Sequence, residues 1–317
     1  MMNFLRMLLY PGMVYILTLA MFLEWLDRKL VAKFQNRVGP MYVGPLGLLQ
    51  PLADFLKLLS KESIIPAGSD RILFNICPIT AFVVITLAVS FIPMVSVRGL
   101  LSTEGDLIVV LALLTIYLLL VYTSGASPPS RYSQIGAARA ALMLLGFDLP
   151  LMMSSISVAV IAGSFRLSDI VAQGRYYIVG LHFIGFLIFL VAAQAELDRL
   201  PFDIPEAESE IVSGWLVEYS SWRLALLRLA KNMEFLLLTG LAVNLYLGGP
   251  VGPSPPSLEP FLQPFYFILK LVSVTFLLSL VRASFARLRI DQFVSLGWHY
   301  LLPLSLIYLV MTIVLVN

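Results

Sequence analysis

The sequence predicts an all-α integral membrane protein, about eight transmembrane helices with one cytoplasmic amphipathic helix, and three observations carry that prediction. Mean hydropathy is +0.91 and only 13% of the 317 residues are charged, which is too little polar surface to cover a water-soluble globule. Apolar runs long enough to cross the hydrocarbon layer recur along the whole chain, each near the roughly 20 residues a spanning helix needs. Basic residues collect in alternate connections between those runs.

Taken in order, the span cores are 5 to 26, 74 to 96, 106 to 122, 139 to 162, 177 to 195, 224 to 247, 264 to 281 and 301 to 316. The first run is followed by no small-residue cleavage site and is read as a retained span. Fourteen Lys and Arg fall in the first, third, fifth and seventh connections, against four (Arg6, Arg98, Arg166 and Arg175) on the other side. By the positive-inside rule those connections, near 27–73, 123–138, 196–223 and 282–300, are expected in the cytoplasm of a cell-membrane protein with both termini outside. With no internal repeat and no low-complexity tail, residues 1–317 form a single transmembrane domain.

Within the first connection, Leu48, Leu49, Leu52, Phe55, Leu56 and Leu59 recur at helical spacing, with Gln50, Asp54, Lys57 and Lys61 elsewhere on the circumference. This pattern predicts a short amphipathic helix, lying at the membrane interface or packed on a partner protein. Residues 249 to 264, rich in Pro and without a base, read as an external loop.

The chemistry is concentrated in residues 196 to 210, where Glu196, Asp198, Asp203, Glu206, Glu208 and Glu210 place six of the nineteen acids within fifteen positions. Asp203, Glu206 and Glu210 are three and four apart, so in a helix they would share a face with Glu208 turned away. Crowded carboxylates titrate as a coupled group and suit proton transfer; a solvated or salt-bridged acidic loop is the structural alternative. Inside the spans each ionised group costs about 2.5–3.5 kcal/mol unless it is paired or hydrated. Asp148 lies near mid-span beside Pro150, whose ring frees backbone carbonyls. Lys231 and Glu234, three apart, are placed to pair locally. Lys270 lies in the seventh span, Glu218 follows the acidic segment, and Glu24 and Asp27 end the first span, where snorkelling also explains them.

One cysteine, Cys77, excludes an intrachain disulfide and a cysteine-ligated cluster, and His182 and His299 alone argue against haem or a histidine metal site. This chain is therefore expected to bind no metal or redox cofactor, and no nucleotide loop, nucleophile triad or nucleic-acid motif is present.

Four separated blocks resemble a known family. They are Asp27 to Lys29 with Gln35–Pro40, Gly44–Pro51, Asp54 and Lys57–Glu62; Tyr132, Gly136, Arg139 and Gly146–Asp148; Glu196, Arg199, Pro201–Asp203, Glu206 and Glu208–Glu210 with Gly214 and Glu218–Ser220; and Arg282, Arg287, Arg289, Asp291, Gln292 and Trp298. Together they resemble subunit 1 of respiratory complex I, a family that extends to the membrane subunits of energy-converting hydrogenases and sulfur-reducing relatives. The resemblance implies a membrane subunit that seats a peripheral redox arm and couples its electron transfer to proton or sodium movement. Partners would be soluble iron–sulfur subunits, of complex I or nickel–iron hydrogenase type, and antiporter-like membrane subunits, beside lipid. Together with the acidic-segment and intramembrane charges read above, it gives a candidate proton path through Asp27, Asp148, Glu196, Asp203, Glu206, Glu208, Glu210, Glu218, Lys231, Glu234 and Lys270. Arg28, Arg37, Asp54, Arg139, Arg199, Arg282, Arg287, Arg289 and Asp291 would form a partner seat or quinone cavity. The family usually carries Glu at Asp27 and Asp148 and commonly at Lys231, where the sign is reversed. Two alternatives stay open: the quinone-binding subunit of an NADH- or F420H2-type oxidoreductase, and an independent secondary ion transporter, which would normally show repeated halves.

Overall fold

A computed structural model describes residues 10–173, 181–253, 255 and 258–316. The beginning of the predicted first span with Arg6, the start of the fifth with Arg175, and the Glu208 side chain lie outside the described residues. Every regular element among the described residues is helical. In chain order they are α1 (Met13–Phe34), a 3-10 turn (Pro45–Gly47), α2 (Gln50–Leu59), α3 (Arg71–Ser90), α4 (Asp106–Ala126), α5 (Arg131–Ala162), α6 (Leu167–Gln173), α7 (Leu181–Glu196), α8 (Glu208–Ile211), a second 3-10 turn (Gly214–Leu216), α9 (Ser221–Tyr246), α10 (Glu259–Ser284), α11 (Ile290–Ser295) and α12 (Leu302–Val316). A π turn over Leu296–Leu301 joins the last two into one rod.

Among the described residues, five segments are long and apolar enough to cross a membrane: α3, α4, α5, α10 and the Ile290–Val316 rod. The other three predicted spans are helices too, and each departs from that pattern for a visible reason. α7 has 16 residues. α1 carries Glu24, Asp27, Arg28, Lys29 and Lys33, and α9 carries Arg223, Arg228, Lys231 and Glu234. In a bilayer every backbone amide must be satisfied within the protein, which helices do by themselves, and a helix sheltered from lipid by its neighbours can afford polar side chains. α9 is such a helix. From Met233 to Tyr246 every residue is buried, and the helix packs against α1, α2, α3 and α10 and touches α5, α6 and α7.

The predicted connections are shorter and more ordered than the apolar runs suggested. α1 continues past residue 26 to Phe34, and Lys29 then donates to the carbonyls of Pro40 and Leu46 at 3.0 and 3.2 Å, folding the Gly-Pro stretch back onto the helix. α2 forms where its leucine spacing predicts it; Leu52, Leu56 and Leu59 stay exposed on one side, while Pro51 and Leu58 face the protein. Asp70 caps α3 by accepting from the amides of Ile72 and Leu73. In the fifth connection, 197–220, the expected helical face does not form. Pro201 and Pro205 keep the chain irregular up to Ala207, because proline lacks an amide donor and disfavours helix in the residue before it. Only the single turn α8 follows, so Asp203, Glu206 and Glu210 do not share a face.

That irregular loop is nonetheless held firmly. Phe202 packs into a ring cluster with Phe147 of α5 and Phe293 of α11, centroids 5.4 and 5.8 Å away. Leu288 donates its amide to the Pro201 carbonyl at 3.0 Å, and Gln194 donates to the Leu200 carbonyl at 2.7 Å. At the far end the second 3-10 turn crosses α5 at Gly136, where an added Cβ would stand 2.6 Å from the Trp215 amide nitrogen; only glycine admits that approach. Ser133 of α5 donates to the Gly125 carbonyl at 2.8 Å and reaches the Trp215 carbonyl at 3.4 Å.

Candidate functional site

The loop forms one wall of a cavity of about 920 Å³, closed by α1, α9 and the segment after α10. Its volume is that of a typical small-molecule site, but its walls are unusually charged. Glu24, Asp27, Asp198, Asp203 and Glu206 face Arg28, Arg199, Arg228, Lys231, Arg282 and Arg287 across it.

Most of these charges are matched in pairs. Asp27, 1% exposed, accepts from Ser279 at 2.7 Å, is ion-paired with Arg282, and lies 3.3 Å from Arg199. Arg199 stacks on the Phe235 ring, 3.7 Å from its centroid, so its flat guanidinium lies between an acid and an aromatic face. Burial pushes the Arg199 pKa down while Asp27 works to raise it. Arg28 bridges Glu24 of its own helix and Asp54 of α2, the latter at 2.7 Å, and so ties α2 to α1, while Gln50 donates to Asp54 within α2. Burial alone would raise the Asp54 pKa, but the bonds from Arg28 and Gln50 outweigh it and hold the carboxyl below its ordinary 3.8.

Lys231 departs from the sequence expectation. It does not pair with Glu234 along its own helix; it reaches into the loop, forming ion pairs with Glu206 and with Asp198 at 3.1 Å. Burial pushes the Asp198 pKa up to about 6, with Lys231 working against the rise and Glu206 and Asp203 adding to it. The Asp203 pKa is also raised, first by burial and then by Glu206. Glu210 lies apart from this group: it accepts from Arg139 at 2.6 Å and stands 3.5 Å from Arg287. Its pKa is lowered by the Arg139 hydrogen bond and the Arg287 charge, against a small effect of burial.

Beyond the cavity, carboxylates continue into the helix bundle in a different condition. Glu196 and Glu234 are each 3% exposed and keep one carboxyl oxygen without a hydrogen-bond partner. Asp148 is 6% exposed; Thr115 donates to its Oδ2 at 3.0 Å, and Oδ1 is unpartnered. Glu196 stands within electrostatic reach of Asp148, Glu234 and Asp198, which makes it the joint between the cavity and mid-span. The buried Tyr117 hydroxyl, itself without a well-formed bond, faces Glu234. Tyr117 and Thr115 were invisible to sequence reasoning, since in an apolar span they look like ordinary interior residues.

Other predicted site residues fall elsewhere. Lys270 is spent at the opposite end of the bundle, donating to the carbonyls of Gly249 and Val251 at 2.8 and 2.7 Å, and so does not join the acid path. Glu218 is half-buried between two cavity residues, Val217 and Tyr219, without lining the cavity itself. Arg37, Arg289 and Asp291 are exposed, Arg37 beside Arg282 and the other two at the start of α11. No group of three metal-ligating side chains occurs among the described residues.

The family model described as NADH dehydrogenase matches residues 8–313 of the chain. This protein belongs to that family, subunit 1 of complex I. Its relatives include the NADH-quinone oxidoreductase H subunit of Dehalococcoides mccartyi (strain CBDB1), 39% identical over 91% of this chain and 80% of the relative. The corresponding protein of Brevibacillus brevis is 40% identical over 92% and 87%, and one of Geobacter sulfurreducens 39% over 94% and 92%. In this member of the complex I subunit 1 family the four sequence blocks converge: Asp27, Asp54, Arg139, Asp148, Glu196, Arg199, Asp203, Glu206, Arg282 and Arg287 all lie in or around one cavity and the carboxylates behind it.

Proposed function

We propose that this subunit couples electron transfer in a docked, peripheral redox arm to proton or sodium movement across the membrane, through the carboxylates that lead from the cavity to Asp148. The observation that carries the reading is the series Asp203, Glu234, Glu196, Asp148, which passes from a charged cavity to mid-span with an unpartnered oxygen on each of its last three members. Buried groups left in that state exchange protons through water or with one another; a purely structural anchor would have them paired.

In this reading α1, α7 and α9 also cross the membrane, giving eight spans. α9 does so inside the bundle, where its charges meet partners and not lipid. The odd connections face the cytoplasm of the cell, and the leucine face of α2 lies at that membrane surface. Arg37, Arg289 and Asp291, exposed on the same side as the cavity, belong to the seat for soluble iron–sulfur subunits, and the apolar outer faces meet lipid or antiporter-like membrane subunits. The names of the relatives make a quinone the first candidate for the cavity, whose volume admits a head group. A second reading, a hydrogenase or sulfur-reductase type complex with no quinone, is favoured by Lys231, which fills part of that space with an ion-paired ammonium.

Mass spectrometry of the detergent-extracted complex tests the assembly: iron–sulfur subunits of complex I or hydrogenase type should co-purify, and a functional homo-oligomer without them would favour an independent transporter. Bound quinone in the same extract separates the two acceptors.

A further inference from the structure

Among the described residues, Lys231 is the one cation that enters the cavity from the bundle's central helix to meet two acids of the loop. Its ammonium, a compact point charge with three donors, is met from three directions: Glu206, Asp198 at 3.1 Å, and the face of the Trp215 ring with its centroid 5.2 Å away. All three belong to the 197–217 loop, whereas Lys231 stands on the most buried helix of the molecule. Asp198 has a positive φ of 51°, in the left-handed region that aspartate tolerates better than most residues, and this turns the loop at the end of α7. Were the lysine merely neutralising its own helix, the partner three residues on, Glu234, would suffice; instead that carboxyl keeps an oxygen unbonded.

We propose that Lys231 is a positioning residue, a tethered counter-ion that seats Asp198 and Glu206 of the loop as a fixed charge pair and thereby leaves Asp203 and Glu234 as the carboxylates that exchange protons. The inference deepens the coupling reading above and rests on it. The groups facing Asp198 are Glu206, Asp203 and Lys231, with Glu234 beside Lys231 on α9, Glu196 at the end of α7 and Tyr117 of α4. Among the described residues Lys231 is the cation ion-paired with Asp198; Arg199, Arg228, Arg282 and Arg287 line the same cavity without pairing with it, and Arg199 and Arg282 are engaged by Asp27. Removing Lys231 therefore strips Asp198 of its paired charge beside Glu206 and Asp203, and the carboxyl must then take up a proton at higher pH.

The test uses the purified complex with its partner subunits, as parent, Lys231→Met and Lys231→Arg, with Asp198→Asn added to each to assign the signal. Infrared titration of the protonated-carboxyl band follows Asp198, and reconstituted vesicles give the ion-to-electron ratio against pH. Lys231→Met should move the Asp198 titration upward by about one pH unit or more and carry the acid limb of the translocation profile with it, and Lys231→Arg should restore both. An infrared titration of Lys231→Met that superimposes on the parent's overturns the proposal, whatever happens to turnover. A moved titration with an unchanged ion-to-electron ratio keeps the counter-ion role and removes the coupling reading on which its purpose rests.

Discussion

The cavity and the bundle interior behind it hold the same side chains under opposite conditions. In the cavity and its rim each partnered carboxylate has a basic side chain in contact: Asp27 with Arg199 and Arg282, Asp198 and Glu206 with Lys231, Glu210 with Arg139 and Arg287, Asp54 with Arg28. In the interior Glu196, Glu234 and Asp148 have no ion pair among the described residues, and one oxygen of each is unpartnered. Paired charges lock geometry, and removing one partner strands the other. Unpaired acids contribute little to the framework and can persist in the membrane only by accepting protons or water. The difference therefore separates residues that hold the site from residues that work in it.

The largest effect should come from the paired side. Asp27→Ala leaves Arg199 and Arg282 facing each other beside a buried gap, a change expected to cost about 3–5 kcal/mol; the melting midpoint and yield of the assembled complex would record it. On the unpaired side, Glu234→Gln should leave that midpoint close to the parent's while lowering coupled transport on the order of 100-fold, the scale of losing a proton-transfer group. If Glu234→Gln instead melted the complex, the division between framework and working residues would fail.

Smaller effects sharpen the boundary. Glu210 is half-exposed, and its arginine pairs are worth about 0–1 kcal/mol, so Glu210→Gln should alter transport little and loosen the loop only locally, as hydrogen exchange of residues 205–212 would show. The Asp54 carboxyl has a depressed pKa, so its tether stabilises α2 above the ordinary carboxylate range and is lost as pH falls through the depressed value. Protease sensitivity near α2 should be flat from neutral pH to about 4 and rise only below that; a rise near pH 6 would contradict the pairing. Lys270→Met should leave the ion-to-electron ratio unchanged, because that ammonium holds the Gly249 turn far from the acids.

Much of this was legible in the sequence, because periodicity and charge are local signals. The apolar runs located every long helix, the leucine spacing located α2, and the density of acids between 196 and 210 pointed to the cavity wall. The misread parts depend on distant partners. The spacing of Asp203, Glu206 and Glu210 suggested a helical face, yet Pro201 and Pro205, present in the same stretch, were the signal against it. Lys231 has its natural local partner in Glu234, and nothing in the chain announces that acids 33 and 25 positions away will claim it. Lys270 looked like another interior charge until the Gly249 turn folded over it. Thr115 and Tyr117 gain their meaning only from facing Asp148 and Glu234, which no pattern within α4 encodes.

Of the unpaired interior carboxylates proposed to carry the ion, Asp148 is the one at mid-span, held by a single hydrogen bond from Thr115. Asp148→Asn keeps the shape and a polar contact for Thr115 while removing the titratable proton. In vesicles reconstituted at matched assembly, electron transfer from the soluble arm would be followed together with internal pH or sodium. Electron transfer should persist while the ion-to-electron ratio collapses; a parental ratio in Asp148→Asn would contradict a relay role and leave Asp148 as a neutral acid bonded to Thr115.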